Sequence, residues 1–344
     1  MTGTVVLTGA AGGLGSALAE NIVSRQEPDA CIFTVRNQSS ANAQPLHALR
    51  DTAHGKTIEI HELDLATLDS VRAFAADINK RVASQQLPRI SVLILNAAVI
   101  PAGNQRLYTN ADGAKIEMMF AVNHLANFLL TLLLLPSMDG EKGRVVLVSS
   151  HAHDLQSASL SKYRPEKLPW DLDEIARGEQ TPEPGDEAND VMRRYGMSKL
   201  CQILFMHELQ ARIDATPHLN GVCMLAVNPG AMIHSNMLNK LDNPVMKYAV
   251  GPIAAGVFRA VQYFNPDGIM RTVERSAADV QKAAFSFDDP LLGSHPKGLY
   301  FDGAKIVKAA EDSFDETKQK ELWDFSVKLA GLSEDDVLRC IGSA

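Results

Sequence analysis

Cysteine is scarce in this chain, and the little there is follows no pattern. Cys31, Cys201, Cys223 and Cys340 form no CxxC pair and no other ligand spacing. That argues against a disulfide framework or a thiolate metal site and fits reduced core thiols in a cytoplasmic protein. Runs of basic residues are missing and the net charge is −8, so no nucleic-acid partner is expected. The most apolar stretch, "FLLTLLLLP" at 128–136, is too short to cross a bilayer and reads as a buried helix or a subunit contact. No charged n-region and apolar h-region precede Thr4, so no targeting segment is expected. HExxH, a Walker lysine behind a glycine loop and a GxSxG elbow are all absent, and with them the signatures of three large hydrolase classes. His151 and His153 in "SSHAHD" have only Asp154 as a nearby ligand. We expect no metal there, and a substrate-side loop instead.

What is present is a full core. Of 344 residues, 46% are hydrophobic, enough for one large domain. Strand-like runs alternate with helical ones: "TVVLT" from Thr4, "CIFTV" from Cys31, "TIEIHELD" from Thr57, "ISVLILNAA" from Ile90, "GRVVLVSS" from Gly143 and "GVCMLAVNPG" from Gly221. Short β-branched runs without strict alternation suit parallel strands buried on both faces. The expectation is an α/β fold, a Rossmann-type doubly wound parallel sheet in three layers, spanning 1–344 as one domain. Residues 151–190, acidic and carrying Pro165, Pro169, Pro182 and Pro184, read as an insertion near the substrate entrance. Residues 235–297 are expected to form a C-terminal substrate cover, with one more strand candidate, "GLYFDG", at 298–303.

Gly9, Gly13 and Gly15 follow the first strand and open the first helix. Missing side chains there admit a pyrophosphate, and the helix N-terminus offers free N–H groups and a positive dipole end. At the end of the second strand, where an acid would accept from a ribose diol, stands Arg36. A guanidinium suits a 2′-phosphate, so the reading is NADP(H) rather than NAD(H), with a solvated surface arginine as the alternative. "YGMSK" puts Tyr195 and Lys199 four apart, on one face at the head of an amphipathic helix. An adjacent ammonium favours the ionised phenol, and such a tyrosine can exchange a proton with a carbonyl or alcohol oxygen. Ser150, ending "VVLVSS", and Asn123, in "FAVNHLANFLL", accompany the pair.

"TGAAGGLG", "LNAA", "VNHLANFLL", "VLVSS", "YGMSK" and "NPG" occur in this order. Together they resemble the short-chain dehydrogenase/reductase family over roughly 4–235. "LDLATLDSVRAF" and "GLYFDG…ELWDFSVKLAGL" resemble its retinol-dehydrogenase-like and protochlorophyllide-reductase-like branches. The resemblance implies that Tyr195 is the general acid/base and that Lys199 holds the nicotinamide ribose and lowers the tyrosine pKa. It further implies that Ser150, rather than Ser149, bonds the substrate oxygen, and that Asn123 keeps a helix distortion supporting a relay water. The cofactor contacts it implies are Thr8, Gly9, Gly13, Leu14 and Gly15 of the loop, Arg36, Asp64 and Leu65 at the adenine, and Asn96, Ala97 and Ala98 along the cofactor. Tyr195, Lys199, Pro229, Gly230 and Met232 complete that set. The sequence departs from the pattern at Leu95 and Ala98, and at His234, which stands beside Ser235 where the family carries threonine.

The expected activity is NADPH-dependent interconversion of a ketone or aldehyde and an alcohol on a medium-sized, fairly apolar substrate such as a lipid, terpenoid, polyketide or xenobiotic. Two alternatives stay open: reduction of a carbon–carbon double bond, and a non-redox cofactor-binding protein. The small-molecule substrate is the main expected partner. A homodimer through "NHLANFLLTLLLL" and the tyrosine-bearing helix and a monomer are both compatible with the sequence.

Overall fold

The computed structural model describes residues 3–52, 55–101, 107–111, 114–154, 170–179, 187–232, 265, 268–287, 293 and 295–342. Six apolar runs form a parallel array: β1 (Thr4–Leu7), β2 (Ala30–Val35), β3 (Thr57–Glu62), β4 (Ile90–Leu95), β7 (Arg144–Val148) and β8 (Cys223–Asn228). β11 (Leu299–Asp302) extends it in parallel beside β8, and β12 (Lys305–Val307) closes the edge antiparallel to β11. The order across the sheet is β12-β11-β8-β7-β4-β1-β2-β3. Every residue of β1, β2, β4, β7 and β8 is buried. Helices cover both faces, so neither side of these strands meets water and no polar alternation is needed.

On one face lie α3 (Leu68–Ala83), α4 (Ala126–Leu134) and α6 (Glu187–Asp214), with Ile78, Phe128 and Leu209 in one core. On the other lie α1 (Gly13–Ser24) and α7 (Val273–Phe285), with Leu18, Ile22 and Val280 in a second core. α2 (Gln44–Thr52) flanks β3. The chain ends in α8 (Glu316–Leu329) and α9 (Glu334–Gly342). Smaller pieces are the hairpin of β5 (Tyr108–Ala111) and β6 (Ala114–Glu117), the pair β9 (Ala231–Met232) and β10 (Met270–Arg271), and α5 (Leu172–Arg177).

Several expectations need correction. Tyr195 does not stand at the head of its helix: α6 starts eight residues earlier, at Glu187. That leading stretch shows no apolar stripe, but from Asp190 on it is held inside the protein by ion pairs. Arg194 Nε donates to Asp190 Oδ2 at 3.0 Å and its Nη1 to Glu117 Oε1 at 2.7 Å, with all three side chains at most 5% exposed. The apolar helix is also longer than expected. Its run Phe120–Ser137 is long and apolar enough to cross a membrane by length and composition, yet 89% of it is buried in the protein. The chain's own α8 covers this helix and α6. Trp323 sits edge-on to Phe128 at 5.2 Å, and Phe128 lies 5.1 Å from Phe205. The helices expected to pair two copies thus have apolar faces packed within one chain.

Of the insertion, 155–169 and 180–186 lie outside the described residues. Its α5 is capped by Asp171, which accepts from Glu174 N at 3.0 Å, and ends on Gly178 at φ +63°. Of the expected substrate cover, 235–264 lies outside the described residues, as does His234. α7, inside that range, is a core helix: Ala277, Val280 and Ala283 are fully buried against the sheet.

Candidate active site

The neighbours of β1 are β2 on one side and β4 on the other, which makes this junction the switch point of a doubly wound sheet. Crevices open there at the C-terminal ends of the strands. A cavity of ≈ 820 Å³ occupies it, lined from the glycine loop through the ends of β2, β4, β7 and β8. Gly9 turns the chain at φ +66°, and a Cβ there would come within 2.9 Å of Ala97 Cα. At Gly15 a Cβ would stand 2.2 Å from Gly9 O, so only glycine lets α1 start this close under β1. Gly12 caps α1 with no side-chain hydrogen bond, and the first turn holds no acid. That leaves its N–H groups and dipole for an anion. With Gly9, Gly13 and Arg36 on the wall, the residues present fit a pyrophosphate and a further phosphate.

Thr8 and Asn96 hold this floor from behind. Thr8 Oγ1 accepts from the N–H groups of Asn96 and Ala97, each at 3.0 Å. Asn96 Nδ2 donates to the carbonyls of Thr8 at 2.9 Å and Gly9 at 3.1 Å. Asp64 faces the cavity while its Oδ1 accepts from Ala66 N at 3.0 Å, so it also serves its own turn.

At the other end, Ser150 begins a tight turn through His153, and its Oγ accepts from Ala152 N at 3.1 Å. Ser150 is also hydrogen-bonded to the Tyr195 phenol, a bond that favours the ionised phenol. Ser149 Oγ, by contrast, is buried without a partner. Lys199 is fully buried, and its Nζ donates to Val148 O at 2.9 Å and lies 5.6 Å from the Tyr195 ring centroid. Burial pushes the ammonium pKa down to about 7. It also pushes the phenol up, against the lowering effect of the Ser150 hydrogen bond. The lowering expected from Lys199 is not among the effects on the phenol, where burial outweighs the Ser150 hydrogen bond.

Asn123 lies in a π-helical stretch, Phe120–Leu125, that leads into α4. Its Oδ1 accepts from Val99 N at 2.8 Å, and its Nδ2 donates to Val99 O at 3.1 Å and Ser198 Oγ at 3.0 Å. The Asn123 carbonyl accepts from Gln202 Nε2 at 2.6 Å and Asn127 Nδ2 at 2.9 Å. The helix distortion is there, but both lone pairs of that carbonyl are engaged, leaving little for a relay water. Asn123 is a strut between β4's exit and α6.

Gly9, Gly13, Leu14, Gly15, Arg36, Asp64, Leu65, Asn96, Ala97, Ala98, Ser150, Tyr195, Lys199, Pro229, Gly230 and Met232 all line the one cavity. Thr8 and Asn123 do not; they brace its walls. Sequence reasoning missed Asn42, Val122 and Met118 on the cavity wall, and two buried ionic supports. One is Glu117–Arg194. The other is Arg271, which donates to Asn228 O at 2.9 Å and Asp302 Oδ1 at 2.7 Å beneath Gly230. "RRY" before the tyrosine was a visible signal, but nothing in it distinguishes a solvated arginine from a buried one.

Sheet, switch-point cavity and glycine floor define a Rossmann-type dinucleotide-binding protein. A family model described as short chain dehydrogenase matches residues 3–168. Short-chain dehydrogenase iccH of Talaromyces variabilis is 35% identical over 365 residues, covering 98% of each chain. Human retinol dehydrogenase 13 is 29% identical over 348 residues, covering 97% of this chain and 86% of the relative. The NADPH-bound carbonyl reductase from chicken fatty liver superposes with a TM-score of 0.58 at 18% identity, over 90% of this chain and 99% of that one, and so shares the fold. The chain belongs to the short-chain dehydrogenase/reductase family, with relatives in its retinol-dehydrogenase-like branch.

Proposed function

We propose that the protein is an NADPH-dependent reductase and dehydrogenase that interconverts an apolar ketone or aldehyde and its alcohol. The observation that carries this reading is the Ser150 hydroxyl. It is hydrogen-bonded to the Tyr195 phenol and lines the same switch-point cavity as Tyr195 and Lys199, where one carbonyl oxygen can meet both hydroxyls. NADPH, when bound, supplies the hydride. Tyr195 gives a proton to the reduced oxygen, or takes it back in the other direction, while Ser150 polarises the carbonyl. Lys199, poised near pH 7, becomes fully charged once it has ribose hydroxyls to donate to, and then assists loss of the phenolic proton.

Arg36 on the cavity wall supports NADPH over NADH, because a bare ribose diol would find no acceptor in it. Val99, Ile100, Pro101, Leu107 and Met118 line the far side, and that surface suits an apolar substrate. The test is NADPH oxidation against a panel of apolar ketones and aldehydes, with Tyr195→Phe as control. The variant should lose at least about a hundredfold in kcat, the range of a positioned acid, while its Kd for NADPH stays within about twofold. Full activity in the variant would refute the mechanism.

A further inference from the structure

We propose that His153 is a positioning residue, a neutral imidazole latch that holds the Ser150 turn and makes it depend on the docked C-terminal segment. The ring bridges two backbone groups of fixed polarity. Nδ1 lies 2.8 Å from the carbonyl oxygen of Ser150, which can only accept. Ala310 N–H, which can only donate, points at Nε2 from 3.0 Å. Both contacts are satisfied by one tautomer alone, with the proton on Nδ1 and the Nε2 lone pair free to accept. Protonation would set a second N–H against that of Ala310, so the latch requires the neutral ring.

The connection continues on both sides. Ala310 O accepts from Ser313 Oγ at 2.6 Å, and Ser313 O accepts from Gln319 Nε2 at 2.8 Å, the latter on α8. Toward the site, Ser150 O also accepts His153 N at 3.1 Å, which closes the turn, while the Ser150 hydroxyl faces Tyr195. One hydrogen-bonded path thus runs from a C-terminal helix to the group that polarises the substrate.

The surroundings favour a neutral ring. His153 is 2% exposed and its ring lies 4.5 Å from that of Tyr300 on β11. Burial lowers its pKa, partly offset by the Ser150 carbonyl and Asp154, with His151 adding to the lowering. From α6, the half-buried His207 is a further group that feels its charge. On the turn after Ala310, Glu311 and Asp312 are taken by Lys308 and Lys318. Asp302 on β11 is taken by Arg271.

Two isosteres separate the halves of the latch. Asn at 153 places an amide N–H where Nδ1 stood and keeps the bond to Ser150. Gln reaches the Nε2 position and keeps the bond from Ala310. We expect His153→Asn to hold kcat within about threefold of wild type while proteolysis at the C-terminal segment quickens. His153→Gln should keep the segment protected but lose about ten- to a hundredfold in kcat, the scale of a misplaced catalytic group, with the Kd for NADPH unchanged. The kinetic arm rests on the proposed carbonyl reduction, so two measurements do without turnover. In wild type, ¹⁵N NMR should show a pyrrole-type Nδ1 and a pyridine-type Nε2 at His153, without titration between pH 6 and 8. At pH 8, the ¹³Cζ resonance of Tyr195 should move in His153→Gln and stay in His153→Asn. If wild type reduces no carbonyl yet these resonances behave as stated, the activity reading fails and the latch stands. The opposite tautomer, titration near pH 6.5, or equal kcat losses in both variants with Tyr195 unmoved would overturn the latch.

Discussion

Replacing Lys199 by methionine should destroy activity and yet stabilise the protein without cofactor at and below neutral pH, an advantage that fades as the pH rises. Lys199 is 1% exposed and, among the described residues, its hydrogen-bond partner is the Val148 carbonyl. Its folded pKa is about 7, against 10.5 for a solvated lysine. A depressed lysine destabilises: the cost is full below pH 7, where both states are charged, and vanishes above 10.5, where both are neutral. Between those values the unfolded state binds more protons, so stability rises with pH. At about 1.4 kcal/mol per pH unit, the full cost comes to about 5 kcal/mol, of which about 3 kcal/mol is relieved between pH 6.5 and 9.5. Methionine has a similar length and no charge to desolvate. The Val148 carbonyl left behind costs about 1–3 kcal/mol at every pH and does not affect the slope. Urea unfolding of both proteins across this range, without NADPH, gives the difference directly. Wild type should gain about 3 kcal/mol on the variant from pH 6.5 to 9.5. Parallel curves would show that Lys199 keeps its ordinary pKa and would refute the reasoning.

The remaining predictions address the cofactor end and the ionic supports. Arg36→Asp should lower kcat/KM for NADPH by about ten- to a hundredfold, as loss of a charge-assisted phosphate bond of about 1.5–3 kcal/mol implies, and raise it for NADH; an unchanged preference would show Arg36 to be a solvated surface residue. Gly15→Ala puts a Cβ 2.2 Å from Gly9 O and should remove NADPH binding by calorimetry while lowering Tm. Arg194→Met strands Glu117 at 2% exposure and should cost about 3–5 kcal/mol in urea unfolding. Adding Glu117→Gln should recover part of that loss, and a double variant no better than the single would separate the two residues.

Some of this molecule could be read along the chain because the information is local. Five of the strand-like runs in the sheet are short apolar stretches between turn residues, and burial on both faces is written in their lack of alternation, whereas the edge strand β3 alternates and is only partly buried. The glycine loop is likewise legible, since strand, glycines and helix are contiguous and the backbone there has no alternative residue. Tyr195 and Lys199 lie four apart, and a helix of any length brings them to one face. The polar start of α6 was not legible, because ion pairs to Glu117 on another element bury it and no apolar stripe announces it. His153 could not be told from a loop histidine for the same reason: its second partner, Ala310, is 157 positions away.

The sequence by itself determined the doubly wound class, the switch-point floor and the juxtaposition of Tyr195 with Lys199, since contiguity along one strand or one helix places them. Only the tertiary structure decided their protonation and aim. Burial raises the Tyr195 pKa and lowers that of Lys199, and Ala152 N donates to the Ser150 hydroxyl oxygen. Solvation and hydrogen-bond direction depend on what the rest of the chain folds against a group, and no local pattern carries that.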